Sequence, residues 1–242
     1  MTTCSELEID CYVRGRHVTS SQVDSFELNA ARRAMKNLKS LLGGQKMYDL
    51  IRQQVEEGDA YYKDIIAKSN GQWRECRTDM HVKGITATQV QENRKRHIVS
   101  MTGESQSLDD KNAAGLGMIL PAHPEHYLVP LYDEGIVEVI GEHMARVRIK
   151  AFTEVPSFVM EYSDPAYPFK KPTIGELEDG TALFYILHEF RDTEDGCDLT
   201  LRLLFPTAAP EVWFEEHAQH LAIEFRSFLT TAYKDLRLTA SE

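Results

Sequence analysis

What the sequence lacks narrows the possibilities first. It contains no apolar run of the roughly 18 residues that a membrane-spanning helix needs. Its opening, MTTCSELEID, is acidic and has neither the basic start nor the apolar stretch of a signal peptide. Cytoplasmic placement is therefore the default expectation. The four cysteines, Cys4, Cys11, Cys76 and Cys197, are scattered with no C-x-x-C pair. Neither a zinc knuckle nor a dense disulfide framework is expected from them. Positive charge is also short: 27 Lys and Arg stand against 38 Asp and Glu, a net charge of -11. Such a surface repels phosphate backbones and anionic lipids, which argues against nucleic acid and membrane partners. The one basic stretch, NRKRH, reads as a solvated helix end. There is no G-x-G-x-x-G, P-loop, G-x-S-x-G or H-E-x-x-H motif, so nucleotide cofactors and Ser-His-Asp hydrolysis lose ground.

What is present is an ordinary globular composition: 242 residues, 42% hydrophobic and 27% charged. The length suits one large domain, or a core domain with an added segment. LEIDCYV alternates like a half-buried strand. The next stretch places Leu28, Ala31, Met35, Leu38 and Leu42 at helical spacing, and Gly43-Gly44 stops that helix. Residues 45–71 read as two shorter helices broken at Gly58. CRTDMHVKGI reads as a strand, and TATQVQENRKRH as a short polar helix capped by Thr86. Residues 103–117, rich in glycine, serine and charge, read as a lid or hinge.

From Gly117 the pattern turns to strands: GMILPAHPEHYLVPL, GIVEVIGE, MARVRIKAF, SFVMEYS, TALFYILHEF and CDLTLRLLF, with a hairpin around Glu194-Asp195-Gly196. Pro210 then starts a long helix whose stripe is Phe214, Leu221, Phe225, Phe228, Ala232 and Leu236. Helices, then an antiparallel sheet, then one long amphipathic helix indicate an α+β domain. A curved sheet around that helix would enclose a cavity for a small, largely apolar ligand.

Chemistry-bearing residues gather in two places. On the last helix, His220 and Glu224 are four apart and flank the apolar stripe, with His217 nearby. An imidazole and a carboxylate so placed can chelate a metal or tune a proton-transfer group, and they can equally form a helix-edge ion pair. In HPEH, an extended chain would turn only one of His123 and His126 inward. His188 lies in an apolar strand, and Tyr185 would share its cavity only across a bulge. His81 and His143 read as structural or exposed. Among the strand carboxylates, Glu138 and Glu142 share a face by period two.

In order, MHVKGITATQV, HPEHY, HEFRDTEDG and HLAIEFRSFLTTAY resemble the diacetylphloroglucinol/phloretin hydrolase family, over roughly residues 80–233. The resemblance implies a helix-grip fold of the Bet v 1-like or START-like kind. It implies an N-terminal strand and helical segment, 1–75, packed on a ligand-binding and catalytic domain, 76–242. It implies a Zn2+-dependent hydrolase that cleaves the carbon–carbon bond between an acyl group and a phenolic ring. The family's zinc ligands match His126, His220 and Glu224, with Glu142 as the first candidate for the remaining strand glutamate and Glu154 as the second. His188 matches a substrate-contacting histidine. The catalytic set is then His188, His220 and Glu224, and the wall for a small hydrophobic or phenolic substrate is His123, Tyr127, Tyr185, His188 and Phe225. Here Ala122 precedes His123 and the family's aspartate is missing from the segment. Fungal relatives of the fold are associated with hetero-Diels–Alder cyclisation in polyketide-type secondary metabolism. A metal-independent pericyclase is thus the alternative, a hydrophobic-ligand carrier a further one, and a homodimer stays open.

Overall fold

The computed structural model describes residues 9–93, 119–128 and 135–239. The chain forms two compact units, Met1–Leu41 and Leu42–Glu242. In the first, β1 (Cys11–Val13) and β2 (Arg16–Val18) pair antiparallel. Arg14 and Gly15 turn between them at φ 52° and 76°, the left-handed pair of a two-residue hairpin. Helix α1 (Ser20–Lys68) opens on a capping box. Gln22 N–H donates to Thr19 Oγ1 at 3.2 Å, and Thr19 N–H donates to Gln22 Oε1 at 2.8 Å. Phe26, Leu28, Leu38 and Leu41 on its first half are exposed. Gly43, at φ 66°, interrupts the helical backbone where the Gly-Gly stop was expected.

The second unit holds the rest of α1. Gly58 stays helical, against the expected break. A Cβ there would stand 2.0 Å from the Met144 carbonyl oxygen, so the glycine permits a close approach of helix to strand rather than a turn. Tyr62 is fully buried and donates its hydroxyl to His143 O at 2.7 Å. Tyr62 and Ile65 join the main core of this unit.

Six antiparallel strands form one strongly curled sheet in the order β3-β8-β7-β6-β5-β4. They are β3 (Trp73–Lys83), β4 (Gly135–Ile140), β5 (His143–Ala151), β6 (Phe169–Glu176), β7 (Ala182–Asp192) and β8 (Gly196–Pro206). Short helical turns are α2 (Ile119–Ala122) and α3 (Ser157–Met160), and the long closing helix is α4 (Glu211–Thr239). Helix α4 touches both edge strands, β3 and β4, so it lies in the concavity of the sheet. Phe184, Phe190, Leu199, Leu201, Leu203 and Phe205 meet Trp213, Phe214, Leu221 and Phe225 there. Each such side chain contributes about 1.5–3 kcal/mol when buried.

Two expected strands differ, and one strand, β6, was not expected. SFVMEYS contains α3, whose Val159 packs on Leu187 and Leu204 of the convex face. Of GMILPAHPEHYLVPL, the described part is α2, a turn and one bridge, Leu128 to Val137. β6 carries Pro172, a residue that argues against a central strand. Pro172 pairs with Leu187 of β7, but β5 pairs only from Thr173 onward, so no ladder bond is forfeited on that side. The expected lid, 103–117, lies outside the described residues.

The D-T-x-x-G stretch has a structural role. Asp192 Oδ1 accepts the Ala87 N–H at 2.7 Å, and Asp192 Oδ2 accepts the Thr88 hydroxyl at 3.1 Å. It thereby caps the helical residues 87–93 together with the Thr86–Gln89 capping box. On the convex face, fully buried Glu189 accepts bonds from Lys170 Nζ at 2.5 Å, Ser163 Oγ at 3.1 Å and Asp164 N–H at 3.0 Å, and pairs with Arg202.

Candidate metal centre

The centre begins with a turn. Pro124 cannot donate a backbone bond, and the His126 N–H closes the turn on His123 O at 3.2 Å. The turn brings His123 and His126 to the same side, with ring centroids 5.6 Å apart. The extended reading, with only one histidine inward, is thereby overturned. The chain then pairs with the edge of the sheet: Tyr127 N–H donates to Val137 O at 2.7 Å and Val137 N–H to Leu128 O at 2.9 Å. This register sets His126 beside Glu138. Val137 faces Met47, Ile51 and Val55 of α1, while its neighbour Glu138 points to the other side of β4.

Helix α4 supplies the opposite wall. His220 Nε2 lies 3.0 Å from His126 Nε2 and 3.4 Å from Glu138 Oε2. His126 Nε2 is 3.7 Å from Glu138 Oε2 and 3.9 Å from Glu224 Oε1. His126 Nδ1 donates to Ile119 O at 2.7 Å. A carbonyl only accepts, so Nδ1 carries the proton and Nε2 keeps its lone pair facing the cluster. The His123 ring stacks on His220 at 3.8 Å, and its Nδ1 accepts the Glu125 N–H at 3.2 Å. His217 stacks on the other face of His220 at 4.8 Å.

The buried cluster of His123, His126 and His220 can hold a metal ion. Its electrostatics suit a cation. Burial, with His217, His123 and His126 adding to it, drives the His220 pKa far below the usual imidazole range, so its ring stays neutral and able to ligate. Burial, with Glu224 and Glu125 adding repulsion, pushes the Glu138 carboxyl up to about 8. A carboxylate so enclosed is costly unless a positive partner joins it. Among the described residues its ion-pair contacts are with imidazoles.

Of the residues expected at the site, His123, His126, His220 and Glu224 come together. Glu142 does not: Gly141, at φ 62°, ends the strand alternation, and Glu142 sits exposed in the β4–β5 turn. Glu138, on the same strand, stands at the cluster in its place. Glu154 is likewise exposed. His188 faces the concave interior, edge-on to Phe225 at 4.9 Å. Tyr185 lies on the convex face with Trp73 and Phe158, since β7 pairs with β8 without a bulge there and residues three apart face opposite sides. The Tyr127 ring packs with the α1 cluster. His217 was missed as a participant; its spacing of three before His220 and seven before Glu224 carried the signal.

Compared with known proteins, the chain matches no family model and no curated protein.

Proposed function

We propose that this chain is a zinc-dependent hydrolase on a helix-grip, Bet v 1-like scaffold, cleaving the carbon–carbon bond between an acyl group and a phenolic ring. The observation that supports it is convergence. The Nε2 atoms of His126 and His220 lie 3.0 Å apart, the Glu138 carboxylate lies 3.4–3.7 Å from both, and the Glu224 carboxylate lies 3.9 Å from His126. Zinc bonds near 2.0–2.1 Å in a tetrahedron would space the donors by about 3.3 Å. Two neutral imidazoles and two carboxylates also balance a divalent charge. The Ile119 carbonyl that orients His126 is the outer-shell partner such a ligand calls for.

A divalent ion held there would supply Lewis-acid polarisation of a ketone and acidify a water molecule. The protein's own groups do the rest. His220 is braced between His123 and His217, which fixes its ring plane. His188, steadied against Phe225, offers a ring nitrogen to a phenolic oxygen and stabilises charge that develops on the ring. Overall, the hydroxyl of water ends on the acyl carbon and a proton on the ring carbon. The test is hydrolysis of acyl phenols by protein stripped with chelator: the reading requires activity to vanish and return with zinc. Turnover that persists in chelator would favour the metal-independent pericyclase, and tight binding without turnover the carrier.

A further inference from the structure

A small cleft lies behind the metal centre, lined by Glu125, Val139, Gly141, Glu216, His217 and His220. It has room for little more than a water molecule or a bare ion, so an organic substrate does not fit. Glu125 and Glu216 are exposed, and His220 forms the inner wall. The cleft therefore runs from solvent to the back of a ring whose Nε2 faces the cluster. His217 is 6% exposed and has no hydrogen-bond partner among the described residues. The ring lines the cleft, so water or an ion entering there can meet its nitrogens. Its faces and edges are otherwise taken by His220 and Phe205.

Resting on the metal reading above, we infer that this cleft is the route by which the metal ion reaches the centre. Glu125 and Glu216 form an anionic mouth that concentrates cations, and His217 is a transient ligand between the mouth and His220. Water and protons can use the same cleft, but the acidic mouth and the unpartnered imidazole favour a cation.

The experiment is stopped-flow uptake and release of Zn2+ by the full chain after chelator treatment, followed with a competing chromophoric chelator. Replacing both mouth carboxylates, Glu125→Gln with Glu216→Gln, should slow association about tenfold and weaken its salt dependence. These side chains are exposed, so the variant tests the inference even if substitution at His217 impairs folding. His217→Leu should slow association and release together; because the ring also packs on His220, some affinity is lost with it, but much less than in His220→Ala. Unchanged rates in both variants would overturn the inference while leaving the metal reading intact. A loss of affinity in His217→Leu as large as in His220→Ala would overturn it too, by making His217 a resident ligand. Absence of zinc binding by the unsubstituted chain would overturn both.

Discussion

The sharpest consequence of the site's electrostatics concerns Glu138 in the metal-free protein. Its carboxyl is pushed from the ordinary 4.5 up to about 8 by burial and by Glu224 and Glu125. The folded state thus holds a proton that the unfolded chain has released over this range. Stability then falls as pH rises, because the folded state binds more protons than the unfolded one. The loss starts near the unfolded value of 4.5 and saturates above about 8. At 1.36 kcal/mol for each tenfold, the ceiling is about 5 kcal/mol, and water entry trims it to roughly 2–5 kcal/mol. Glu138→Gln removes the ionisation. In EDTA the variant should therefore match the unsubstituted protein near pH 5 and exceed it near pH 8.5. The gap in Tm should reach roughly 5–15 °C, at about 2–4 °C per kcal/mol for a chain of this size. Saturating zinc should reverse the order, since only the carboxylate can ligate. Thermal unfolding across pH, with and without zinc, reads this directly. Parallel curves for the two proteins in EDTA would refute the reasoning.

Other outcomes follow from the same structure. Asp192→Ala should cost about 1–2 kcal/mol by uncapping residues 87–93, read by urea denaturation, without altering zinc affinity. Glu189→Gln should cost about 3–5 kcal/mol, because Lys170 and nearly buried Arg202 lose their shared carboxylate. The first half of α1 is acidic at Asp24 and Glu27 and basic at Arg33 and Lys36, beside exposed Leu28 and Leu38. That pattern fits an antiparallel second copy. Light scattering should then give twice the 27.6 kDa chain mass, falling to one chain in Leu38→Glu.

Much of the fold was legible because it rests on periodicity. The stripe of α4, the alternation of β3, and the Thr86 cap are local patterns, and the structure keeps them. Three features were not local. Gly58 looked like a break because the sequence does not show the Met144 carbonyl pressed against it. Pro172 hid β6 because its tolerance depends on where β5 stops. Val159 and Phe158 looked like strand residues because their apolar partners lie on the convex face of β7 and β8.

The site divides in the same way. His220 and Glu224 were readable from one helical turn. His123 and His126 were readable as a pair, but not as facing the same way, because that depends on the turn at Pro124. Of the two strand glutamates, Glu138 stands beside the histidines and Glu142 does not. Alternation put Glu138 and Glu142 on one face, and only the backbone at Gly141 separates them. Tyr185 failed as a cavity residue because no bulge interrupts β7 between Tyr185 and His188.

The most direct measurement is the zinc content of the purified, dialysed protein and of three variants. One zinc per chain is expected in the unsubstituted protein and in Glu142→Ala, with loss of the metal in Glu138→Ala and His220→Ala. A chain that binds no zinc, or that loses it with Glu142 and keeps it without Glu138, would rule out a zinc centre built on Glu138.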